Sequence, residues 1–169
     1  MSGVDELGHP SGSRVLETFF LPHQGAMLSM VEAPFGQTTR RALYLRRLSE
    51  RRYRRVGPRN HGWSWETARL GPHGDITLLE VRYDARGVGA AYLRVLSLGP
   101  PRSIRTIASP NKEFRPVRLL SISIDAKWVY HVSGPYMTPG QRHASYFLAK
   151  VSTKDGSFLR MGPLRFAGA

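Results

Sequence analysis

The sequence predicts an all-β protein built from three copies of one four-stranded antiparallel unit. A motif with an aromatic residue followed by leucine occurs three times along the chain, at Leu43–Ser49, Ala91–Ser97 and Tyr146–Ser152. Tyr44 and Tyr92 are 48 residues apart, and Tyr92 and Phe147 are 55 residues apart. Both spacings are close to the length of a four-stranded β repeat. The motif therefore marks one strand of each copy.

Two further strands precede each motif. In the first copy Val15–His23 leads through Gly25 into Met27–Val31, and in the second Ser64–His73 leads through Gly74 into Ile76–Val81. The two copies share a Glu-Thr pair and a Pro-His pair at matching positions. The third copy follows the same order, with these segments: Val117–Ile124, the turn Asp125-Ala126, and Lys127–Val132. Each copy thus begins with two strands joined by a tight turn.

A short fourth strand follows each motif. The three runs are Tyr53–Gly57, Ile104–Ala108 and Phe158–Gly162. All the predicted strands are short, rich in β-branched and aromatic residues, and bounded by turn residues. A helix over residues 43–53 is disfavoured because the matching segment of the second copy contains Gly99-Pro100-Pro101, and proline breaks a helix interior. The predicted units are residues 14–57, 58–109 and 110–162, between a flexible N-terminal segment (1–13) and a C-terminal tail (163–169).

This order of strands and turns resembles the blades of TolB-type, WD-like β-propellers. In those blades the first turn reads Ser-Pro-Asp-Gly-Lys, and Ser123–Trp128 is similar to a degenerate version of it. The turns Leu21–Gly25 and Gly71–Asp75 are similar as well, although the Ser-Pro-Asp-Gly core is complete in none of the three. The resemblance covers roughly 150 residues. It implies a propeller-type fold with a scaffold role, and it brings no catalytic residues with it.

Three blades are too few for a closed propeller, which needs about four to eight. The simplest closure is a homodimer that forms a six-bladed ring, because repeats close readily under point-group symmetry. Alternatively, the three blades form part of a larger propeller or pack against blades of another chain. A monomer is not expected.

The composition is strongly basic. The formal net charge is +13 and the isoelectric point is about 11.0. Such a surface attracts polyanions, including nucleic acids and acidic proteins, unless the arginine content is a compositional bias carried on solvated faces. The sequence has no cysteine, no secretory signal and no apolar run long enough to span a membrane, so we expect a cytoplasmic protein without disulfides.

Nine arginines fall between residues 40 and 59, with Glu50 as the one acidic residue among them. Arg46 and Arg47 belong to the predicted third strand, and Arg54 and Arg55 belong to the fourth. Because outer strands are exposed edges, we expect these side chains to crowd one rim. Guanidinium groups in such a cluster bind phosphates, and neighbouring aromatic rings provide stacking surfaces. The alternative is that the arginines protect an exposed edge strand from aggregation and the aromatic residues belong to the core. The predicted partner-binding residues are Arg46, Arg47, Arg51, Arg52, Arg54, Arg55 and Arg59. Possible aromatic contacts are Tyr44, Tyr53 and Trp63.

Motifs of catalysis are absent from the sequence. It contains no Gly-x-Ser-x-Gly, no phosphate-binding Gly-rich loop and no dinucleotide fingerprint. His23 and His73 occupy equivalent turns, which duplication explains better than a metal site. We therefore expect no metal and no cofactor. The leading hypothesis is a non-enzymatic binding or scaffold module with an arginine-rich face. The alternatives are a small hydrolase-like or accessory enzyme domain with its site in the propeller funnel, and a truncated propeller fragment without independent function.

Overall fold

The structure, a computed structural model, describes residues 8–58, 62–84, 87–99, 102–108, 116–136 and 145–164. Within these residues the chain forms twelve β-strands and one short 3-10 turn, Pro22–Gln24, and it contains no α-helix. The strands form three four-stranded antiparallel sheets, which confirms this part of the prediction.

Each sheet is a meander in which every strand pairs with the next one along the chain. The first sheet consists of β1 (Arg14–Leu21), β2 (Ala26–Phe35), β3 (Thr38–Arg47) and β4 (Arg54–Gly57). The second consists of β5 (Trp63–Leu70), β6 (Ile76–Asp84), β7 (Gly87–Ser97) and β8 (Ser103–Ala108). The third consists of β9 (Pro116–Ile122), β10 (Trp128–Tyr136), β11 (Ser145–Ser152) and β12 (Phe158–Leu164). The three aromatic–leucine motifs occupy the third strand of each sheet.

The chain divides into two compact units. The first comprises Met1–Glu66 and Val81–Gly89, and the second comprises Thr67–Glu80 and Ala90–Ala169. The first sheet lies entirely in the first unit and the third sheet entirely in the second. No sheet is closed within the described residues, so closure of a ring, including closure by a homodimer, stays a proposal.

The first unit is built around β2 and β3, the central strands of the first sheet. Leu28 and Leu43 lie on one face and Val31 lies on the other, and all three are fully buried. Because consecutive side chains of a strand point to opposite faces, burial on both faces means that this sheet is covered on both sides at its centre. On the Val31 face the core continues through Tyr44, against which Tyr53 packs.

In the third sheet the two faces differ. Leu119, Val129, His131 and Val151 lie on one face and are fully buried. The opposite face of β10 carries Trp128, Tyr130 and Val132, which are half-buried. The period-two alternation of this strand is therefore visible as a fully buried face and a half-exposed one.

The turn between the first two strands of each sheet contains a residue with positive φ. These residues are Gly25 (54°), Gly74 (83°) and Ala126 (56°). Glycine adopts this conformation without a steric penalty, whereas alanine does not. The third turn also keeps the polar contacts of its motif: Ser123 Oγ donates to Asp125 Oδ1 at 2.6 Å, and Lys127 N donates to the same oxygen at 3.1 Å. These hydrogen bonds lower the pKa of Asp125.

Candidate polyanion-binding site

The β3–β4 hairpin carries most of the predicted partner-binding residues. Strand β3 ends at Arg47 and β4 begins at Arg54. The turn closes locally, since Glu50 N donates to the Arg47 carbonyl at 2.9 Å. The start of the connection is fixed to the neighbouring turn by a hydrogen bond from Leu48 N to the Gly25 carbonyl at 2.8 Å. The arginines at the strand ends are therefore held by paired backbone, and Arg51 lies in the connection between them.

The register distributes the arginines over both faces of the first sheet. Tyr44 is paired with Arg55, and Leu45 is paired with Arg54. Directly paired residues share a face, and side chains alternate along a strand. Arg46 and Arg55 therefore lie on the face of Tyr44, whereas Arg47 and Arg54 lie on the other face. Strand β4 is the edge strand of its sheet, so this edge presents arginine side chains on both faces, and their crowding at one rim stays a prediction.

Charge compensation in the hairpin is slight. Glu50 forms an ion pair with Arg54, with 3.3 Å between Glu50 Oε1 and Arg54 Nη2. The Arg54 side chain is 79% exposed, so this pair contributes little to stability. Four other arginines of the hairpin are exposed and form no ion pair with any residue that the structure describes. These are Arg47, Arg51, Arg52 and Arg55.

Arg46 has a different environment. Its Nη2 atom donates to Met27 Sδ at 3.3 Å, and its guanidinium carbon lies 5.2 Å from the centre of the Tyr53 ring. A cation at this distance is attracted by the face of the ring. Arg46 is half-buried and thus links the arginine cluster to the aromatic side chains of the same face.

Two arginines at the beginning of the same cluster have structural partners. Arg41 Nε donates to Glu32 Oε2 at 3.0 Å, and Arg41 Nη1 lies 3.2 Å from Glu66 Oε2. Arg40 lies over the ring of Tyr83, 4.3 Å from its centre. The Tyr83 hydroxyl donates to Glu66 Oε1 at 2.8 Å. Burial, followed by this hydrogen bond, raises the pKa of Tyr83 to about 12. Arg40 and Arg41 are therefore committed to internal contacts.

The three predicted aromatic residues differ in accessibility. Tyr44 is buried, and burial raises the pKa of its hydroxyl while the charge of Arg55 opposes that shift. Tyr53 is half-buried and is the more accessible of the two tyrosines. Trp63 is half-buried at the first position of β5 and so belongs to the second sheet, whereas Tyr44 belongs to the first. The remaining predicted residue, Arg59, lies outside the described residues.

His9, which the sequence did not single out, packs against both Tyr44 and Tyr53. Its ring centre lies 4.6 Å from that of Tyr53, and it meets Tyr44 edge-on at 5.4 Å. Residue 9 falls in the segment that was predicted to be flexible. Pro10 directly follows His9, but no periodicity marks the segment as one that packs.

Three further features concern metal binding, membrane insertion and small-molecule binding. In the part of the chain that the structure describes, no three histidine, aspartate or glutamate side chains come together to hold a metal ion. The same residues contain no helix that is long and apolar enough to cross a membrane. A cleft of about 80 Å³ in the second unit is lined by His73, Asp75, Arg105 and Thr153 among others. It is smaller than the roughly 300–1,000 Å³ typical of small-molecule sites.

Comparison with known proteins gives no assignment: no protein-family model matches the chain, and no curated protein matches it significantly.

Proposed function

We propose that this protein is a non-enzymatic binding module that holds a phosphate-rich polyanion on its β3–β4 hairpin. The observation that carries the proposal is the contrast within one arginine cluster. Arg41 is paired with two carboxylates. Four exposed arginines of the hairpin, by contrast, have no carboxylate partner among the described residues: Arg47, Arg51, Arg52 and Arg55.

Unpaired guanidinium groups suit phosphate chemically. Each presents a planar fork of N–H donors that matches two phosphate oxygens. Binding also releases counterions from the polyanion, which adds affinity that decreases as the salt concentration rises. Because the arginines lie on both faces of the hairpin and in its connection, they suit a chain-like polyanion that bends around the hairpin. The net charge of +13 adds long-range attraction.

A protective role is the competing explanation for the same arginines. Strand β4 is the last strand of its sheet, and charged side chains on such a strand disfavour edge-to-edge aggregation. In that case, neutralising the arginines causes aggregation and leaves polyanion binding unchanged. The two explanations therefore predict opposite results in a binding experiment.

The experiment compares two triple variants with the same loss of charge. The test variant carries Arg51→Gln, Arg52→Gln and Arg55→Gln. The control carries Arg82→Gln, Arg118→Gln and Lys154→Gln, which are exposed positions outside the hairpin. Binding of a labelled oligonucleotide is measured by fluorescence anisotropy over a series of salt concentrations.

We expect the test variant to bind about 10- to 100-fold more weakly at low salt, with a slope of log affinity against log salt that is smaller by about two to three. The control should change affinity by less than about threefold, because charges outside the contact act only through long-range attraction. Equal losses in the two variants would show that net charge alone is responsible. Unchanged binding in the test variant would refute the proposal.

We also propose that a second copy of the chain completes the architecture, giving six sheets in a ring. The half-exposed face of β10 supports this, since Trp128, Tyr130 and Val132 form an aromatic and aliphatic row. Tyr130 is paired with Lys150, and Lys150 is paired with Leu159, so Leu159 lies on the same face. The Leu159 side chain is 53% exposed. A second apolar surface is available on β1 of a partner copy, where Phe20 is exposed. Six sheets fall within the range of closed propellers, whereas three do not.

A further inference from the structure

The N-terminal segment Gly8–Ser13, here termed the strap, lies against the first sheet on the face that carries Arg46 and Arg55. His9 is the residue by which it packs, and this side chain is only 3% exposed. Its ring is tilted by 37° to that of Tyr53 and stands nearly perpendicular, at 83°, to that of Tyr44. One planar heterocycle thus contacts two tyrosine rings, one of them edge-on.

The surroundings of that heterocycle are basic. Arg46 follows Tyr44 by two positions in β3, and Arg55 is paired with Tyr44 across the sheet, so all three share one face. The Arg46 guanidinium also lies over the Tyr53 ring. The position of the His9 ring therefore combines contacts with two tyrosine rings and two guanidinium groups on the same face of the sheet.

A nucleotide is complementary to this combination of aromatic rings and guanidinium groups. Its base is a planar heterocycle that stacks on tyrosine, and its phosphate pairs with arginine. A base inside a duplex is already stacked and is not available for such a contact, whereas a base of a single strand is.

We propose that the position of the His9 ring is a binding site for one base of a single-stranded nucleic acid, which enters when the strap leaves. The inference rests on the proposed function, because the hairpin arginines must hold the phosphates. It adds that the protein distinguishes single strands from duplexes and that the strap competes with the ligand. A competing segment lowers the apparent affinity, because the ligand binds only those molecules in which the site is open. The apparent affinity equals the intrinsic affinity multiplied by that open fraction.

Gly8 offers a way to displace the strap without altering the sheet. It has a φ of 87°, and a Cβ atom at this residue would lie 2.8 Å from the Tyr53 carbonyl oxygen, too close for any real contact. Gly8→Ala therefore pushes the strap away from Tyr53. Gly25→Ala is a matched control, since its φ is 54° but nothing lies within 4 Å of the added carbon. Both variants place an alanine at a backbone position with positive φ, but only Gly8→Ala also displaces the strap.

The experiment measures the affinity of the full chain and its variants for labelled single-stranded and duplex oligonucleotides of equal length. We expect Gly8→Ala to increase the affinity for the single strand by about threefold to tenfold and to leave duplex affinity unchanged. Gly25→Ala should change neither. His9→Ala removes the competing ring without backbone strain, so it should also increase the affinity for the single strand. This variant replaces Gly8→Ala in the test if Gly8→Ala does not fold.

Tyr53→Leu tests the site itself. Leucine keeps the apolar contact with the core and removes the stacking ring, so the preference for single strands should disappear while duplex binding remains. If Gly8→Ala and His9→Ala both leave single-strand affinity unchanged, or increase single-strand and duplex affinity equally, the base site is refuted while polyanion binding stands. If wild-type protein binds neither oligonucleotide, the proposed function itself is refuted.

Discussion

Arg41 of β3 and Glu66 of β5 form an ion pair, with 3.2 Å between Arg41 Nη1 and Glu66 Oε2. The same guanidinium group also donates to the Glu66 carbonyl oxygen at 3.1 Å and to Glu32 through Nε. Its side chain is 34% exposed, so the pair is partly shielded from water. One cation therefore neutralises two carboxylates that come from different strands.

Replacement of Arg41 by leucine should lower the free energy of unfolding by about 2 kcal/mol, because two partly buried carboxylates lose their shared cation. Arg14→Leu is the matched control. Arg14 also pairs with Glu32, at 3.3 Å, but its side chain is 74% exposed. Its replacement should cost less than about 0.5 kcal/mol. Urea unfolding of both variants measures the difference, and equal losses would contradict the interpretation.

The turn before β10 offers a stabilising substitution. Ala126 has a φ of 56°, where an alanine side chain is strained and a glycine is not. Ala126→Gly should raise the free energy of unfolding by about 0.5–1 kcal/mol, less than the full strain because glycine also makes the unfolded chain more flexible. The reciprocal change, Gly25→Ala, should lower it by about 1 kcal/mol. Denaturant midpoints test both signs, and a destabilised Ala126→Gly would show that the turn does not carry this strain.

Buried His131 should make stability dependent on pH. Burial lowers its pKa from 6.5 to about 4. The folded state therefore binds this proton less readily than the unfolded state, so stability is complete above pH 6.5 and decreases as the pH falls towards 4. The decrease attributable to His131 should reach about 3 kcal/mol.

The measurement is the free energy of unfolding of wild type and His131→Leu between pH 4 and pH 7. Groups that titrate in both proteins cancel in the difference between the two curves. The wild-type value should fall relative to the variant as the pH decreases. Parallel curves would mean that His131 does not remain neutral in the folded protein.

Self-association can be measured directly as a solution mass by light scattering at low and high salt. We expect a dimer that persists at high salt, since apolar contacts do not weaken as charges are screened. Leu159→Lys should shift the mass towards that of a monomer. The control, Leu48→Lys, alters a side chain that is 55% exposed in the hairpin of the first sheet and should leave the dimer intact. A folded wild-type monomer would exclude the six-sheet ring.

Much of the fold could be predicted because its signals are local. Strand alternation, turn residues and repeat spacing all lie within a few dozen residues of chain, and the third strand of each sheet coincides with the repeated motif. Strand limits were predicted less well. The structure extends β2 to Phe35, beyond the predicted end at Val31, because Pro34 and Phe35 continue to pair with Thr39 and Thr38. Cross-strand pairing, which the sequence does not display, sets those limits.

Of the candidate site, the sequence predicts only that arginines are clustered in one segment of the chain. The arginines of the hairpin are close together along the chain, so the order of residues alone reveals that they cluster. It does not reveal which of them are neutralised, since Arg41 and Glu66 are 25 positions apart in the chain. The contact between His9 and Tyr53 is likewise long-range, and a segment without strand periodicity gave no reason to expect it.

The sequence by itself thus determined the all-β class, the threefold repeat and the presence of a basic hairpin, because period-two patterning, turn chemistry and composition are properties of neighbouring residues. The tertiary structure decided which arginines are paired, which face each one occupies and what covers Tyr53. Those outcomes depend on strand register and on contacts between segments distant in the chain, and both are fixed only when the sheets pack.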